Sequence, residues 1–205
     1  MADDRFMEPG DLLPNSGKGW RSDRVFLPKL RFPIEKQNAY ANSQVYRPGG
    51  NKGPSGGQCS ASNYKYPWQD NFCEKRRWKM PFCPTGKGHQ GQDIRPNTCD
   101  KDFYWTVAAE AGVITNVGKY SVTLLGSSGT IYRYLHVQMN DLAVAKGDKV
   151  KIGSRIGKVS NSFGNSSTTI HLHFDAKKTV ISKGKRVTAY IPIYTSLVES
   201  YKRLD

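Results

Sequence analysis

The four histidines of this 205-residue chain lie in three short segments whose spacing suits metal chemistry. His89 opens HQGQD, in which Asp93 follows four residues later; His136 lies in YLHV; His171 and His173 form HLHF. A catalytic zinc commonly takes three ligands of the histidine and carboxylate types and keeps a fourth position for water. Because no histidine lies outside these segments, we expect the segments to meet in one catalytic metal centre.

Strand geometry would bring the chemistry of HLHF to one surface. Alternate residues of a strand point to the same face. In TTIHLHFD one set should face the core: Ile170, Leu172 and Phe174. The other set should face away from it: Thr169, His171, His173 and Asp175.

The same rule places the other two segments. In TIYRYLHV it aligns Tyr132, Tyr134 and His136 on one face. If HQGQD is extended, its two ligand residues also share a face, and Gly91 between them leaves room for both.

The chain from residue 103 onward predicts an antiparallel β domain. Short β-branched or aromatic segments alternate with glycines, and there is no long helical pattern. The expected strands are FYWTVAA, GVITNV, YSVTLL, TIYRYLHV, IGKVS, TTIHLHF and RVTAYI. A short C-terminal helix should follow, with Ser196 and Glu199 as a capping box and an apolar face of Leu197, Tyr201 and Leu204.

The first third of the chain differs from the rest in composition and in its lack of a regular hydrophobic pattern. Residues 1–58 contain six prolines and no sustained periodicity, and RPGGNKGPSGG at 47–57 predicts a loop. Aromatic residues are dense from Tyr64 to Phe82. They either pack this layer onto the domain, which we favour, or line a binding groove.

Four cysteines fall within 41 consecutive residues, and none are spaced C-x-x-C: Cys59, Cys73, Cys83 and Cys99. This pattern favours two disulfides over a zinc ribbon or a redox pair. We favour the sequential pairing, Cys59–Cys73 and Cys83–Cys99, in which each bond closes a loop worth roughly 3 kcal/mol. The alternative is four unrelated buried thiols. Disulfides would imply a periplasmic or extracellular location.

Composition and charge exclude several classes. Apolar residues at 37% and charged residues at 23% are not typical of collagen, coiled coil or wholesale disorder. No apolar stretch reaches the ~20 residues of a transmembrane helix. The first residues are acidic and polar, so the sequence predicts no signal peptide in this chain: either the protein is cytosolic or a signal has been removed, and the expected disulfides favour removal. The net charge of +14 is spread as +6 over residues 1–100 and +8 over the rest, which favours an anionic polymer as partner.

The combined motifs resemble the lysostaphin/LytM-type zinc metallopeptidases, which cut bacterial peptidoglycan. HQGQD, YLHV and SNSFGNSSTTIHLHF match that family's three motifs, and the stretch VAKGDKVKIGSRIGKVSNS is similar to its intervening hairpin. The resemblance covers about residues 85–178 and implies the duplicated hybrid motif, a mainly β fold with an antiparallel groove. Thr169-Ile170 departs from the family's usual Gly-Pro pair. We expect an irregular extension over 1–58 and a catalytic domain over 59–205.

The resemblance implies a role for each site residue. His89, Asp93 and His173 would bind Zn²⁺, and His136 and His171 would be the catalytic histidines. His171 is the better general base because it shares a strand face with His173, while His136 would stabilise the oxyanion or pass a proton to the leaving amine. For Tyr134, a hydroxyl donor to the substrate and a packing residue are both open.

The expected function is zinc-dependent hydrolysis of peptide bonds in peptidoglycan stems or cross-bridges, since glycan hydrolysis normally needs a carboxylate pair. The main alternative is a non-catalytic peptidoglycan-binding activator of other hydrolases, although such relatives typically lose zinc ligands. A biotinyl- or lipoyl-type carrier is a further alternative, but the sequence has no hairpin lysine in the sequence context that is modified in such carriers. Nucleic-acid binding has only the charge in its favour, without any recognised motif.

Overall fold

One large antiparallel sheet organises the molecule in the computed structural model, which describes residues 3–182 and 184–204. The strands are β1 (Tyr40–Ala41), β2 (Gln92–Arg95), β3 (Trp105–Val107), β4 (Gly112–Val117), β5 (Ser121–Gly126), β6 (Ile131–Leu135), β7 (Lys149–Val150), β8 (Arg155–Lys158), β9 (Ser162–Phe163), β10 (Ser166–Ser167), β11 (Leu172–Ser182) and β12 (Lys185–Tyr190). A 3-10 helix spans Ala61–Asn63, and helix α1 spans Tyr194–Lys202. The mainly β, antiparallel fold is confirmed.

The longest strand, β11, holds the sheet together. The order is β1-β2-β11-β6-β5-β4-β7, and β12 also pairs with β11. Two smaller sheets are formed by β9 with β10 and by β3 with β8. Within the large sheet His173 lies opposite Asp93 of β2 on one side and opposite Leu135 of β6 on the other. The topology therefore brings the three histidine segments side by side.

The core lies on one face of this sheet. Leu172 and Phe174 of β11 are fully buried, and Tyr132 and Tyr134 of β6 pack their rings against Phe174. Alternation along β11 therefore buries the predicted apolar set and leaves the histidines on the opposite face. That part of the prediction is confirmed.

The N-terminal segment packs into the same core although it is mostly irregular. Its strand β1 pairs with β2, and Phe32 and Ile34 are fully buried. Trp68 is also fully buried, with its ring against Phe32 and Tyr201. The preferred packing interpretation of the aromatic layer holds for Trp68, whereas Trp78 is 59% exposed.

All four cysteines are paired, but the sequential connectivity is wrong. The disulfides are Cys59–Cys99 and Cys73–Cys83. The physical reason is the path of the chain around β2. Arg95, at the end of β2, donates to the carbonyl oxygen of Gln58, which places Cys59 beside the segment that leads to Cys99. The number of residues between the cysteines, on which the predicted pairing was based, gives no information about this contact.

Helix α1 is present, but its capping box is not. The N-cap residue is Ile193 without a side-chain cap, because Ser196 lies inside the helix and its hydroxyl accepts from the Leu27 amide. Leu197 and Tyr201 are buried as predicted. In the described part of the chain, no helix has the length and apolarity of a membrane span.

Candidate metal centre

Three ligand atoms converge on the polar face of the sheet. Nε2 of His89 lies 2.9 Å from Nδ1 of His173, and Oδ1 of Asp93 lies 3.2 Å from the first nitrogen and 3.1 Å from the second. All three side chains are buried. The structure thus brings together the three residues that the sequence assigns as ligands.

This donor set fits zinc. A tetrahedral zinc with bonds of about 2.0 Å separates its ligand atoms by roughly 3.3 Å, close to the three distances found here. Zinc-bound histidines usually donate their second ring nitrogen to a carbonyl or carboxylate. His89 Nδ1 donates to the carbonyl oxygen of Asn71, and His173 Nε2 donates to Asp175. In each ring the other nitrogen is therefore the one that would bind the metal.

A second layer of hydrogen bonds fixes the ligands. The side-chain oxygen of Asn71 accepts from the backbone amide of Asp93, so Asn71 orients two ligands at once. Asp175 is fully buried and accepts a two-pronged contact from Arg133. Sequence reasoning placed Asp175 on the correct face but assigned no function to it. It missed Asn71 and Arg133, since neither belongs to a histidine segment.

Neighbouring charged groups shift the pKa values of the ligand residues Asp93 and His173. Burial opposes ionisation of Asp93, but the neighbouring His89 and His171 hold the pKa of its carboxyl well below the usual range. Burial likewise disfavours a charged His173, yet hydrogen bonds to Asp175 and Asp93 raise its pKa to about 9. Without a metal, the centre therefore holds a proton on His173.

The other two histidines flank the ligands without entering the set. His171 Nδ1 donates to the carbonyl oxygen of Thr169, and its Nε2 lies 3.5 Å from Asp93 Oδ1. His136 Nδ1 donates to the carbonyl oxygen of Ser162. Burial lowers the pKa of both rings, that of His136 to about 3. Two neutral imidazoles, each with its Nδ1 hydrogen held by a backbone carbonyl, therefore stand beside the metal position.

The predicted alignment of Tyr132, Tyr134 and His136 is wrong. Strand β6 ends at Leu135, and His136 adopts a left-handed backbone with φ of 66°. This turn is fixed because the His136 amide donates to Tyr120 and the His136 carbonyl accepts from Ser160. The imidazole consequently points into the polar groove, whereas both tyrosines stay in the core.

Tyr134 therefore has the packing position that the sequence left open, not a position at the substrate. It is fully buried, and its hydroxyl accepts from the Ala109 amide. Gly91 also differs from its expected use. A Cβ there would lie 2.3 Å from the Phe174 carbonyl oxygen and 2.6 Å from the Asp175 Cβ. The glycine lets the chain approach β11 closely.

The metal centre forms the floor of an open groove of about 450 Å³. Arg76, the exposed Trp78, Tyr120 and Phe163 also line this groove. Tyr120 stacks on His136 with 8° between the ring planes.

Comparisons with known proteins agree with this geometry. The family model for peptidase family M23 matches residues 87–189, half of the chain. A Ruminococcus gnavus structure assigned as a glycyl-glycine endopeptidase LytM is 16% identical, with a TM-score of 0.51 over 87% of this chain and 62% of its own. This chain thus spans less than two thirds of that protein, and the likeness shows a shared fold.

Two further solved structures align over a smaller part. The catalytic domain of lysostaphin from Staphylococcus simulans is 24% identical over 58% of this chain and 89% of its own, with a TM-score of 0.38. A zinc-containing peptidase from Vibrio cholerae is 25% identical over 58% of this chain and 34% of its own, with a TM-score of 0.39. No curated protein matches the chain.

Proposed function

Because the chain belongs to peptidase family M23, we propose that it is a zinc metalloendopeptidase acting on bacterial peptidoglycan. The bonds cut would be peptide bonds of the stem peptides or cross-bridges. The observation that carries this proposal is the convergence of His89, Asp93 and His173 beside two neutral histidines on a groove floor. A purely wall-binding protein would not need that set.

The ligand residues would hold Zn²⁺ through Nε2 of His89, Nδ1 of His173 and a carboxylate oxygen of Asp93. A zinc ion with an open position lowers the pKa of bound water to about 7 and polarises a carbonyl as a Lewis acid. Asn71 and Asp175 would keep the ligand rings in the correct tautomer and orientation.

The two flanking histidines would handle protons. Because the Nδ1 of His171 donates to Thr169, its Nε2 is free to accept the proton of the attacking water. His136 has the same arrangement toward Ser162. Once protonated, either ring can donate from Nε2 to the oxyanion or to the leaving amine. We assign the base role to His171, since its Nε2 lies nearest to a ligand oxygen.

The groove suits a peptide better than a glycan. Among the described residues that line it, Asp93 is the single carboxylate, whereas glycan hydrolysis normally uses two. Next to the groove, residues 73–88 carry Lys75, Arg76, Arg77, Lys79 and Lys87 against one acid, Glu74. We call residues 73–88 the basic loop; it would hold an anionic wall polymer close to the metal.

The location would be periplasmic or extracellular. Both disulfides support it, because such bonds persist in oxidising compartments. Peptidoglycan is found outside the cytoplasmic membrane as well, so substrate and redox compartment agree.

Digestion of purified sacculi tests the function. The zinc-loaded protein should release soluble fragments whose masses identify the peptide bond cut, and the His171→Ala variant should release them far more slowly. If the protein binds one zinc and binds sacculi but releases nothing, the enzyme proposal is overturned in favour of a non-catalytic activator of other hydrolases.

A further inference from the structure

Two glutamines of the N-terminal extension hold the segment immediately before His171. The hydroxyl of Thr169 donates to Oε1 of Gln44 over 2.7 Å. The backbone amide of Ile170 donates to Oε1 of Gln58, also over 2.7 Å. Neither bond could form with glycine at 169 or proline at 170, which lack the hydroxyl and the N–H, respectively.

These bonds bear directly on the orientation of His171. Strand β11 begins only at Leu172; before it, the His171 amide donates to the Ser160 carbonyl and the Thr168 amide to the Asn161 carbonyl, and the glutamines hold the two residues between them. The Nδ1 of His171 donates to the Thr169 carbonyl oxygen over 2.8 Å and lies 3.2 Å from the Thr169 hydroxyl. The position of Thr169 therefore contributes to the orientation of the His171 ring, together with the bond from the His171 amide to Ser160.

The glutamines are themselves fixed from the strand that carries Asp93. Arg95 of β2 is fully buried; it donates to the Gln58 carbonyl oxygen over 3.0 Å and to the Asn42 side chain over 3.1 Å. Gln44 in turn donates to the Asn42 carbonyl oxygen. A closed path of hydrogen bonds thus runs from the Asp93 strand, through the extension, to the segment that holds His171.

We propose that Gln44 and Gln58 are positioning residues for His171, so that residues 42–59 form part of the catalytic site. The proposal rests on the proposed function for the role of His171, but the contacts hold independently of it. Both glutamines also line a cavity of about 460 Å³ that shares Gln44, Val45 and Thr168 with the metal groove. The extension therefore borders the metal groove through Gln44 and Val45.

Gln58 provides the first test, on zinc-loaded protein and soluble cross-linked peptidoglycan fragments. Gln58→Leu removes the acceptor at nearly constant volume, whereas Gln58→Glu keeps an oxygen that can accept from Ile170. We expect kcat to fall about 10- to 100-fold in Gln58→Leu, since small misplacements of catalytic groups cost up to about 10²-fold. KM and zinc content should stay near wild type, and Gln58→Glu should recover most of the rate.

Thr169 provides a second pair of variants. Thr169→Val removes the hydroxyl and should lower kcat, while Thr169→Ser keeps the hydroxyl and should not. Thr179→Val is the matched control, because Thr179 bonds only to Thr188 on the exposed β11–β12 hairpin among the described contacts. This pair decides the question if Gln58→Leu does not fold.

Imidazole ¹⁵N spectra give a readout that does not depend on catalysis. The chain has only four histidines, so each ring can be followed in the zinc-loaded protein. We expect the His171 signals to shift in Gln58→Leu and Thr169→Val, while those of His89 and His173 stay in place. A protein that cuts no peptidoglycan but shows this shift would refute the proposed function and keep the positioning role. Unchanged His171 signals, or loss of zinc together with activity, would overturn the positioning role.

Discussion

The rings of His136 and His171 lie 4.6 Å apart, centroid to centroid, on the floor of the groove. Each ring donates its Nδ1 hydrogen to a backbone carbonyl, that of Ser162 for His136 and that of Thr169 for His171. Burial, and then the charge of the neighbouring His171, lower the pKa of His136. A proton taken up by one ring would therefore discourage protonation of the other.

The two histidines of HLHF should have separable roles. His173→Ala removes a ligand and should lose zinc and activity together. His171→Ala should keep about one zinc per chain and lose ~10²–10⁴ in rate, the usual contribution of a general base. Elemental analysis and rate measurements on the same samples check this, with His136→Ala expected to behave like His171→Ala. Equal loss of zinc in His171→Ala would contradict the assignment.

Asp175 should control zinc affinity without touching the metal. Asp175→Asn removes the charge that His173 Nε2 contacts and should weaken zinc binding about 10- to 100-fold. Chelator competition measures the affinity. Asp141→Asn, at an exposed carboxylate paired with Lys158, is the matched control and should bind zinc like wild type. Equal affinities in all three proteins would show that Asp175 does not tune the site.

Zinc affinity should rise with pH up to about 9. The hydrogen bonds to Asp175 and Asp93 raise the pKa of His173 from its usual 6.5 to about 9, and zinc must displace that proton. Affinity should then increase about tenfold per pH unit below that value and level off above it. In the metal-free protein, the same proton stabilises the fold fully below pH 6.5, and this stabilisation is lost as the pH rises through about 9. Zinc affinity that does not change between pH 7 and 9 would contradict the assignment.

The two disulfides should contribute unequally to stability. Cys59–Cys99 joins residues 40 positions apart and Cys73–Cys83 joins residues 10 apart. In the chain-entropy model these loops are worth about 4 and about 3 kcal/mol, respectively. Urea unfolding of the two paired Cys→Ser variants should show the larger loss for the first pair. Thiol titration of the denatured, unreduced wild type should find no free thiol, and four reactive thiols would refute both bonds.

The basic loop should govern attachment to the wall. Arg77 and Lys79 are exposed and do not line the groove. Arg77→Glu with Lys79→Glu should reduce binding to sacculi several-fold at low salt, and the difference should shrink as salt screens the charges. The same charge change at Lys185 and Arg186, on the β11–β12 hairpin, should reduce binding less. Equal losses would mean that net charge alone matters.

Sequence reasoning succeeded where the backbone is regular. At the start of β11 and just before it the side chains alternate: His171 and His173 line the groove, whereas Leu172 lies in the core, so their placement on one face followed from counting residues. At His136 alternation fails because the strand stops one residue earlier and a left-handed turn redirects the ring. A count of residues along the strand does not reveal that the backbone φ of His136 is positive.

The long-range contacts of the irregular N-terminal part could not be predicted from the sequence, for a different reason. Asn71 lies in a stretch without periodicity, and it becomes a positioning residue only because the fold carries it beneath His89 and Asp93. The cysteine pairing has the same origin, since it depends on how the extension passes β2. Such contacts are properties of the packed chain and leave no local pattern.

The two-residue strand β1 has a practical consequence for anyone who wishes to transplant the activity. It covers the outer edge of β2, the strand that carries Asp93. A fragment cut to residues 87–189 would leave those backbone groups unpaired, and an open strand edge is a template for aggregation. The fragment would also lack Cys59, the disulfide partner of Cys99, and it would lack core residues of the extension such as Phe32. A fusion protein designed to carry the proposed activity should therefore include the N-terminal extension together with the three histidine segments.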